Sequence, residues 1–115
     1  MDDLGVRCVS TNDWVTAAET AECVLALDAL GLTSKALDLF NCTRLHRRAD
    51  GAYWTGIAYP DRVTFPDREV SSYTAAAIVL AADALSSSSK ASGLFRHDEL
   101  AMPFDIAEAG CPLRR

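Results

Sequence analysis

Apolar positions in this chain fall into three helix-like runs separated by one aromatic, proline-bearing stretch. The first run ends in Leu25-Ala26-Leu27-Asp28-Ala29-Leu30 and the third in Leu80-Ala81-Ala82-Asp83-Ala84-Leu85. Set in register they share Leu, Ala, Asp, Ala and Leu, with Val24 opposite Val79, 55 positions apart. Self-similarity at a period of this size points to a helical repeat array, in which no unit buries its apolar face alone. Two units are too few for such an array, so the chain reads as part of something larger.

The patterning predicts a helix from Asp13 or Thr16 to Leu30, with Thr16 and Glu19 at capping-box spacing and Gly31 as the stop. From Ala21 to Leu30 only Glu22 and Asp28 are polar, the mark of a helix buried over most of its circumference. Thr33 or Ser34 is placed to cap a second helix reaching Arg48. Its stripe is Ala36, Leu37, Leu39, Phe40, Thr43 and Leu45, and Arg44, Arg47 and Arg48 complement the dipole of its last turn. Asp50-Gly51 breaks it. Ser71 or Ser72 caps a third helix, Tyr73 to Leu85, followed by a four-serine run that reads as an exposed connection. Ser92 could cap a short turn through Leu94 and Phe95. Residues 1–12 show no periodicity and read as an irregular entry.

Residues 52–72 differ in kind. Pro60 and Pro66 exclude a helix. Alternation over Tyr53–Tyr59 and Val63–Phe65, around Pro60-Asp61-Arg62, suits a short irregular β-hairpin within an ordered aromatic loop.

Composition narrows the function classes. The chain has 115 residues, room for one domain, with 50% hydrophobic and 23% charged residues, hence globular rather than disordered. A net charge of −5 argues against a nucleic-acid or anionic-membrane surface. No apolar run approaches the ~20 residues of a membrane span. The acidic opening Met1-Asp2-Asp3 lacks the basic and apolar regions of a signal peptide, so a cytoplasmic location is expected. Cys8, Cys23, Cys42 and Cys111 are widely spaced, without a Cys-x-x-Cys pair, and are read as free thiols.

With these elements placed, a resemblance can be named. The run Asp50-Gly51-Ala52-Tyr53-Trp54-Thr55-Gly56, then Tyr59-Pro60, Phe65-Pro66 and Tyr73 to Leu85, resembles the C-terminal part of bacterial prenyltransferase-like proteins, of the α/α-toroid superfamily of terpenoid cyclases and protein prenyltransferases. The resemblance covers roughly residues 12–96. It implies an all-α fold: a partial α/α toroid of two helical-hairpin repeats over residues 1–96, with 97–115 a loosely held tail. In that ring, helices 16–30 and 73–85 take inner positions and 34–48 an outer one. It further implies an isoprenoid ligand, and a longer toroid or partner subunit to complete the ring. The family's acid motif, zinc-ligand set and aspartate-rich magnesium motif find no match in this sequence, so no catalytic residue and no cofactor is carried over. The expected function is a prenyltransferase-like protein that binds or transfers an isoprenoid. The alternative is a non-catalytic helical-repeat module packing against a partner. Half a ring leaves an apolar edge, so self-association is expected.

Four groups of residues compete as sites. Tyr53, Trp54, Tyr59 and Phe65 are the candidate substrate contacts, an aromatic wall suited to an isoprenoid and its developing cation. The plainer reading, which is preferred, has them cap helix ends and close the core. Asp38, Cys42 and His46 at i, i+4 and i+8 are zinc-competent types, but three ligands over two turns span about 12 Å, too far to meet one ion. They read as a surface stripe with no metal. Asp28 and Asp83 are either cavity acids or structural acceptors from the following loop; recurrence in both repeats favours the structural role. Arg44, Arg47 and Arg48 suit a diphosphate by type, yet a helix C-terminus repels anions, and a solvated cluster is preferred.

Overall fold

The computed structural model describes residues 4–97. The expected tail at 97–115, Cys111 included, therefore lies almost wholly outside the described residues. The fold is mixed α/β, which corrects the expected all-α toroid. Strand β1 (Val6–Arg7) and strand β2 (Trp14–Thr16) lead straight into helix α1 (Ala17–Ala29). Helix α2 (Thr33–Cys42) runs on into a 3-10 turn, Thr43–His46. Strands β3 (Trp54–Ala58) and β4 (Val63–Val70) precede helix α3 (Ser72–Ser86), and a second 3-10 turn spans Leu94–Arg96. The strands form a four-stranded antiparallel sheet in the order β1-β2-β3-β4.

The expected hairpin is the second half of that sheet. Its first half comes from the supposed irregular entry and from residues at the expected helix start. Trp14-Val15-Thr16 is aromatic and β-branched, a good strand composition, and pairs with β3 through Trp14–Ala58, Val15–Ile57 and Thr16–Gly56. Val15 and Ile57 are both buried on one face. On the other, Trp14 stacks on Phe65 across β3, with centroids 4.1 Å apart and planes at 19°. The rings can meet because Gly56 and Ala58, which share that face, are small. A Cβ on Gly56 would come within 3.1 Å of the Phe65 and Val15 carbonyls.

A buried threonine ties β1 to α1. Thr20 Oγ1 accepts from the Val6 N–H at 2.9 Å and donates to the Thr16 carbonyl at 2.6 Å. Gly5 lies against it with φ at +115°, where a Cβ would sit 2.8 Å from Thr20 Oγ1. Thr16 is the N-cap residue of α1, yet its side chain makes no capping bond, so the capping box does not form. At the other end Gly31 adopts φ +73°. Its N–H reaches the Asp28 carbonyl and the Leu32 N–H reaches that of Leu27, the paired bonds of a Schellman stop. Ser71 caps α3 by accepting from the Thr74 N–H at 3.1 Å.

Helices α1 and α3 pack on each other and α2 packs on α1. Their shared core joins Val24 and Leu25 of α1, Leu39 of α2 and Ile78 of α3 to alanines 17, 18, 21, 36, 77, 81 and 84. Each large aliphatic contributes about 1.5–3 kcal/mol on burial. The alanines contribute less by transfer and chiefly let the helices approach. Of the stripe expected on α2, Ala36, Leu39 and Thr43 are buried, while Leu37 and Leu45 are exposed. The helix also stops at Cys42, leaving Arg47 and Arg48 beyond it in extended chain.

Candidate functional site

Helix α1 turns Glu19, Glu22, Ala26 and Ala29 away from the core, at the spacing of one helical face. Because α3 packs beside α1, Tyr73 on its first turn reaches this face, and its hydroxyl donates to Glu22 Oε1. The Tyr73 phenol is held above its ordinary titration range. The hydrogen bond to Glu22 is the main cause, followed by the Glu22 charge, burial and the Glu19 charge. Two carboxylates thus bear on one phenol. Beside them runs an open groove of about 300 Å³ lined by Glu22, Leu25, Ala26, Ala29 and Phe95, apolar except at its Glu22 end. A carboxylate fixed by a phenol at the mouth of an apolar groove can accept or deliver a proton at a bound ligand. No local pattern in the sequence marks this pair. Its one signal was Glu22 itself, a charge within an otherwise apolar helix.

The four aromatic candidates do not form one wall. Tyr53 packs against the helical core and bridges to Arg47. Trp54 opens β3 and carries the Arg48 guanidinium over its ring at 4.6 Å. Tyr59 follows β3, its N–H donating to the Asp13 carbonyl at 2.9 Å. Its buried hydroxyl has no hydrogen-bond partner, and burial raises its pKa. Phe65 stacks on Trp14 of β2.

Other candidates also go separate ways. Asp28 is buried and its Oδ2 accepts from Arg96 Nη1 at 2.6 Å; the same nitrogen donates to the Ala84 carbonyl at 3.1 Å. Asp83 accepts from the Ser89 hydroxyl of the following loop at 2.7 Å. Asp38, Cys42 and His46 do not converge, and no group of three metal-competent side chains occurs among the described residues. Cys42 Sγ turns to the Asp38 carbonyl, whereas His46 is fully buried with Nε2 3.1 Å from the Val15 carbonyl. Burial lowers the His46 pKa against the opposing pull of the Val15 and Cys42 carbonyls. The Arg48 guanidinium lies over the Trp54 ring and pairs with Asp50 Oδ2 at 2.8 Å. Cys8 and Cys23 are free thiols. No helix among the described residues is long and apolar enough to cross a membrane.

No protein-family model matches the sequence. Among curated proteins the chain is similar to the MMP endo-(1,4)-3-O-methyl-alpha-D-mannosidase of Mycolicibacterium hassiacum (strain DSM 44199 / CIP 105218 / JCM 12690 / 3849), with 47% identity over 97 residues. The match takes in 84% of this chain and 27% of that protein, so the chain spans about a quarter of the length of the relative. This likeness corrects the resemblance to prenyltransferases. The relative is named for cleaving a glycan, and the four-stranded sheet is foreign to an all-helical ring. The reading as a non-catalytic helical-repeat module falls with it.

Proposed function

We propose that this chain forms part of an endo-acting mannosidase that cleaves (1,4) bonds between 3-O-methyl-α-D-mannose units. The observation that carries the reading is the 47% identity over 97 residues to an enzyme of that name. Hydrolysis of a glycosidic bond breaks the bond from C1 to the leaving oxygen. Water supplies the new oxygen at C1 and a proton goes to the departing hydroxyl. Two carboxyl groups ordinarily share the proton transfers. Glu19 and Glu22, three positions apart on α1, have Cβ atoms roughly 5–6 Å apart, a spacing from which two carboxylates can serve one bond. Tyr73 holds Glu22 in place, and the apolar groove beside it suits methyl ethers better than bare hydroxyls.

A chimera tests this. The matching quarter of the M. hassiacum enzyme is replaced by this chain and the product is incubated with an α-(1,4)-linked 3-O-methylmannose oligosaccharide. Internal cleavage, seen by mass spectrometry, is expected. Glu22→Gln in the chimera should lower kcat by about a hundredfold or more, the ordinary worth of a proton-transfer group. A folded chimera without hydrolysis would overturn the reading, and full activity of the Glu22→Gln form would remove Glu22 from it.

A further inference from the structure

A second concavity lies away from the Glu22 groove, where the turn after α2 meets β3 and β4. This open hollow measures about 440 Å³ and is lined by Arg48, Ala49, Asp50, Trp54 and Arg68. One wall is a closed turn. The Arg48 N–H donates to the Ala52 carbonyl at 2.8 Å and the Gly51 N–H to the Arg48 carbonyl at 3.0 Å. Asp50 Oδ1 accepts from the Ala52 N–H at 3.1 Å, and Gly51 supplies the φ of +89° that the turn requires. Upon this turn the Arg48 side chain is held twice, over the Trp54 ring and by Asp50 Oδ2. Arg68 of β4 completes the lining, exposed and without an ion-pair or hydrogen-bond partner among the described residues.

The inventory of polar groups is lopsided. Each guanidinium has five N–H donors and no acceptor, whereas Asp50 is the one carboxylate in the lining and already serves Arg48 and Ala52. A cleft rich in donors and poor in acceptors matches a ligand of the opposite kind. A 3-O-methylmannose unit linked through C1 and C4 is such a ligand. Only its C2 and C6 hydroxyls keep a proton, while the ring, bridging and methyl-ether oxygens accept. Its methyl group, in turn, suits an indole.

We infer that the Arg48–Trp54–Arg68 cleft is a saccharide subsite selective for 3-O-methylated α-(1,4)-mannosides, apart from the site of bond cleavage. It takes its substrate class from the proposed function. Arg68 and the free donors of Arg48 bind the ether oxygens, Asp50 takes a hydroxyl, and Trp54 receives the methyl. Because Arg48 is fixed before any ligand arrives, little side-chain freedom is lost on binding.

Titration calorimetry on the 115-residue chain tests this, using an α-(1,4)-linked 3-O-methylmannose tetrasaccharide and the unmethylated α-(1,4)-mannotetraose. The methylated ligand should bind about tenfold more tightly, the low end for one methyl against an apolar surface. Arg68→Met, on an exposed strand position, should weaken it at least fivefold with the thermal melt unchanged; Trp54→Leu should abolish the preference for the methylated sugar. Equal affinity for the two sugars, binding untouched by both substitutions, or no binding by the unaltered chain would each overturn the subsite. The two ideas fail separately. Binding through this cleft beside a silent chimera removes the hydrolase reading alone. A chimera that cleaves while both variants bind normally removes the subsite alone.

Discussion

Leu25 and Leu80 hold equivalent places in the internal repeat and opposite places in the fold: Leu25 is 8% exposed in the core and Leu80 43% exposed on the outside of α3. Val24 and Val79 repeat the contrast, fully buried against 65% exposed. The two helices that carry the repeat do lie side by side. They present different faces to their common core, so sequence equivalence does not translate into structural equivalence. Leu25→Ala should cost about 2–4 kcal/mol, the ordinary range for truncating a buried leucine. Leu80→Ala should stay within about 0.5 kcal/mol, as at most surface sites. Urea unfolding of the two variants decides it, and matching losses would mean that α3 is covered as α1 is.

This contrast also shows how far the fold could be read from the sequence. The start of α3, the Gly31 stop, the Asp50-Gly51 turn and the β3–β4 hairpin lie at or close to their expected places, because each rests on a local signal: a cap, a positive φ, or two prolines. What failed was the assembly. β1 and β2 are two and three residues long, too short to show alternation, and β2 runs into α1 without a break. A strand followed directly by a helix reads as a longer helix. The Glu22–Tyr73 pair was hidden for another reason. Its members lie 51 residues apart, and only the packing of α1 on α3 joins them.

Breaking the Asp28–Arg96 contact should cost more than an ordinary surface ion pair. The Asp28 side chain is 9% exposed and that of Arg96 27%. Arg96→Met would leave a buried carboxylate without its cation and the Ala84 carbonyl without a donor. Removing one partner of a fully buried pair costs roughly 3–5 kcal/mol; with Arg96 partly in water, about 1–3 kcal/mol is expected. The readout is the shift in the urea midpoint at unchanged slope. Asp28→Asn with Arg96→Met should recover part of the loss, since the buried charge is then gone. No recovery would argue that the charge was not the cause.

His46 should make the fold sensitive to acid. Its Nε2–H donates to the Val15 carbonyl, and its buried Nδ1 has no hydrogen-bond partner. Burial lowers its pKa in the folded chain, so the unfolded chain binds a proton more readily. The sign follows: the contribution is complete above the unfolded-state value of about 6.5. It declines as pH falls below that value toward the lower folded pKa, with a slope of at most about 1.4 kcal/mol per pH unit. Below the folded pKa it changes no further. Unfolding free energies between pH 8 and pH 5 should show this loss, and His46→Gln should flatten that part of the profile even if it lowers stability throughout. A profile unchanged by the substitution would assign the acid sensitivity to carboxylates instead.

The Tyr73–Glu22 hydrogen bond can be tested without any substrate. The phenol titrates above its ordinary value chiefly because Glu22 accepts its proton in a hydrogen bond and adds a negative charge beside it. Tyrosinate absorbance followed through an alkaline titration should therefore contain a late component. Tyr73→Phe should remove the Tyr73 share of it. Glu22→Gln should move it to lower pH, because the amide keeps an acceptor but carries no charge. Glu19→Gln should move it less, its charge being the smallest of the contributing causes. Tyr59, raised mainly by burial, supplies the control: its late titration should persist in all three variants. A Glu22→Gln chain whose titration overlays that of the unaltered chain would show that the two side chains do not meet in solution, and would leave Glu22 without the partner that positions it for proton transfer.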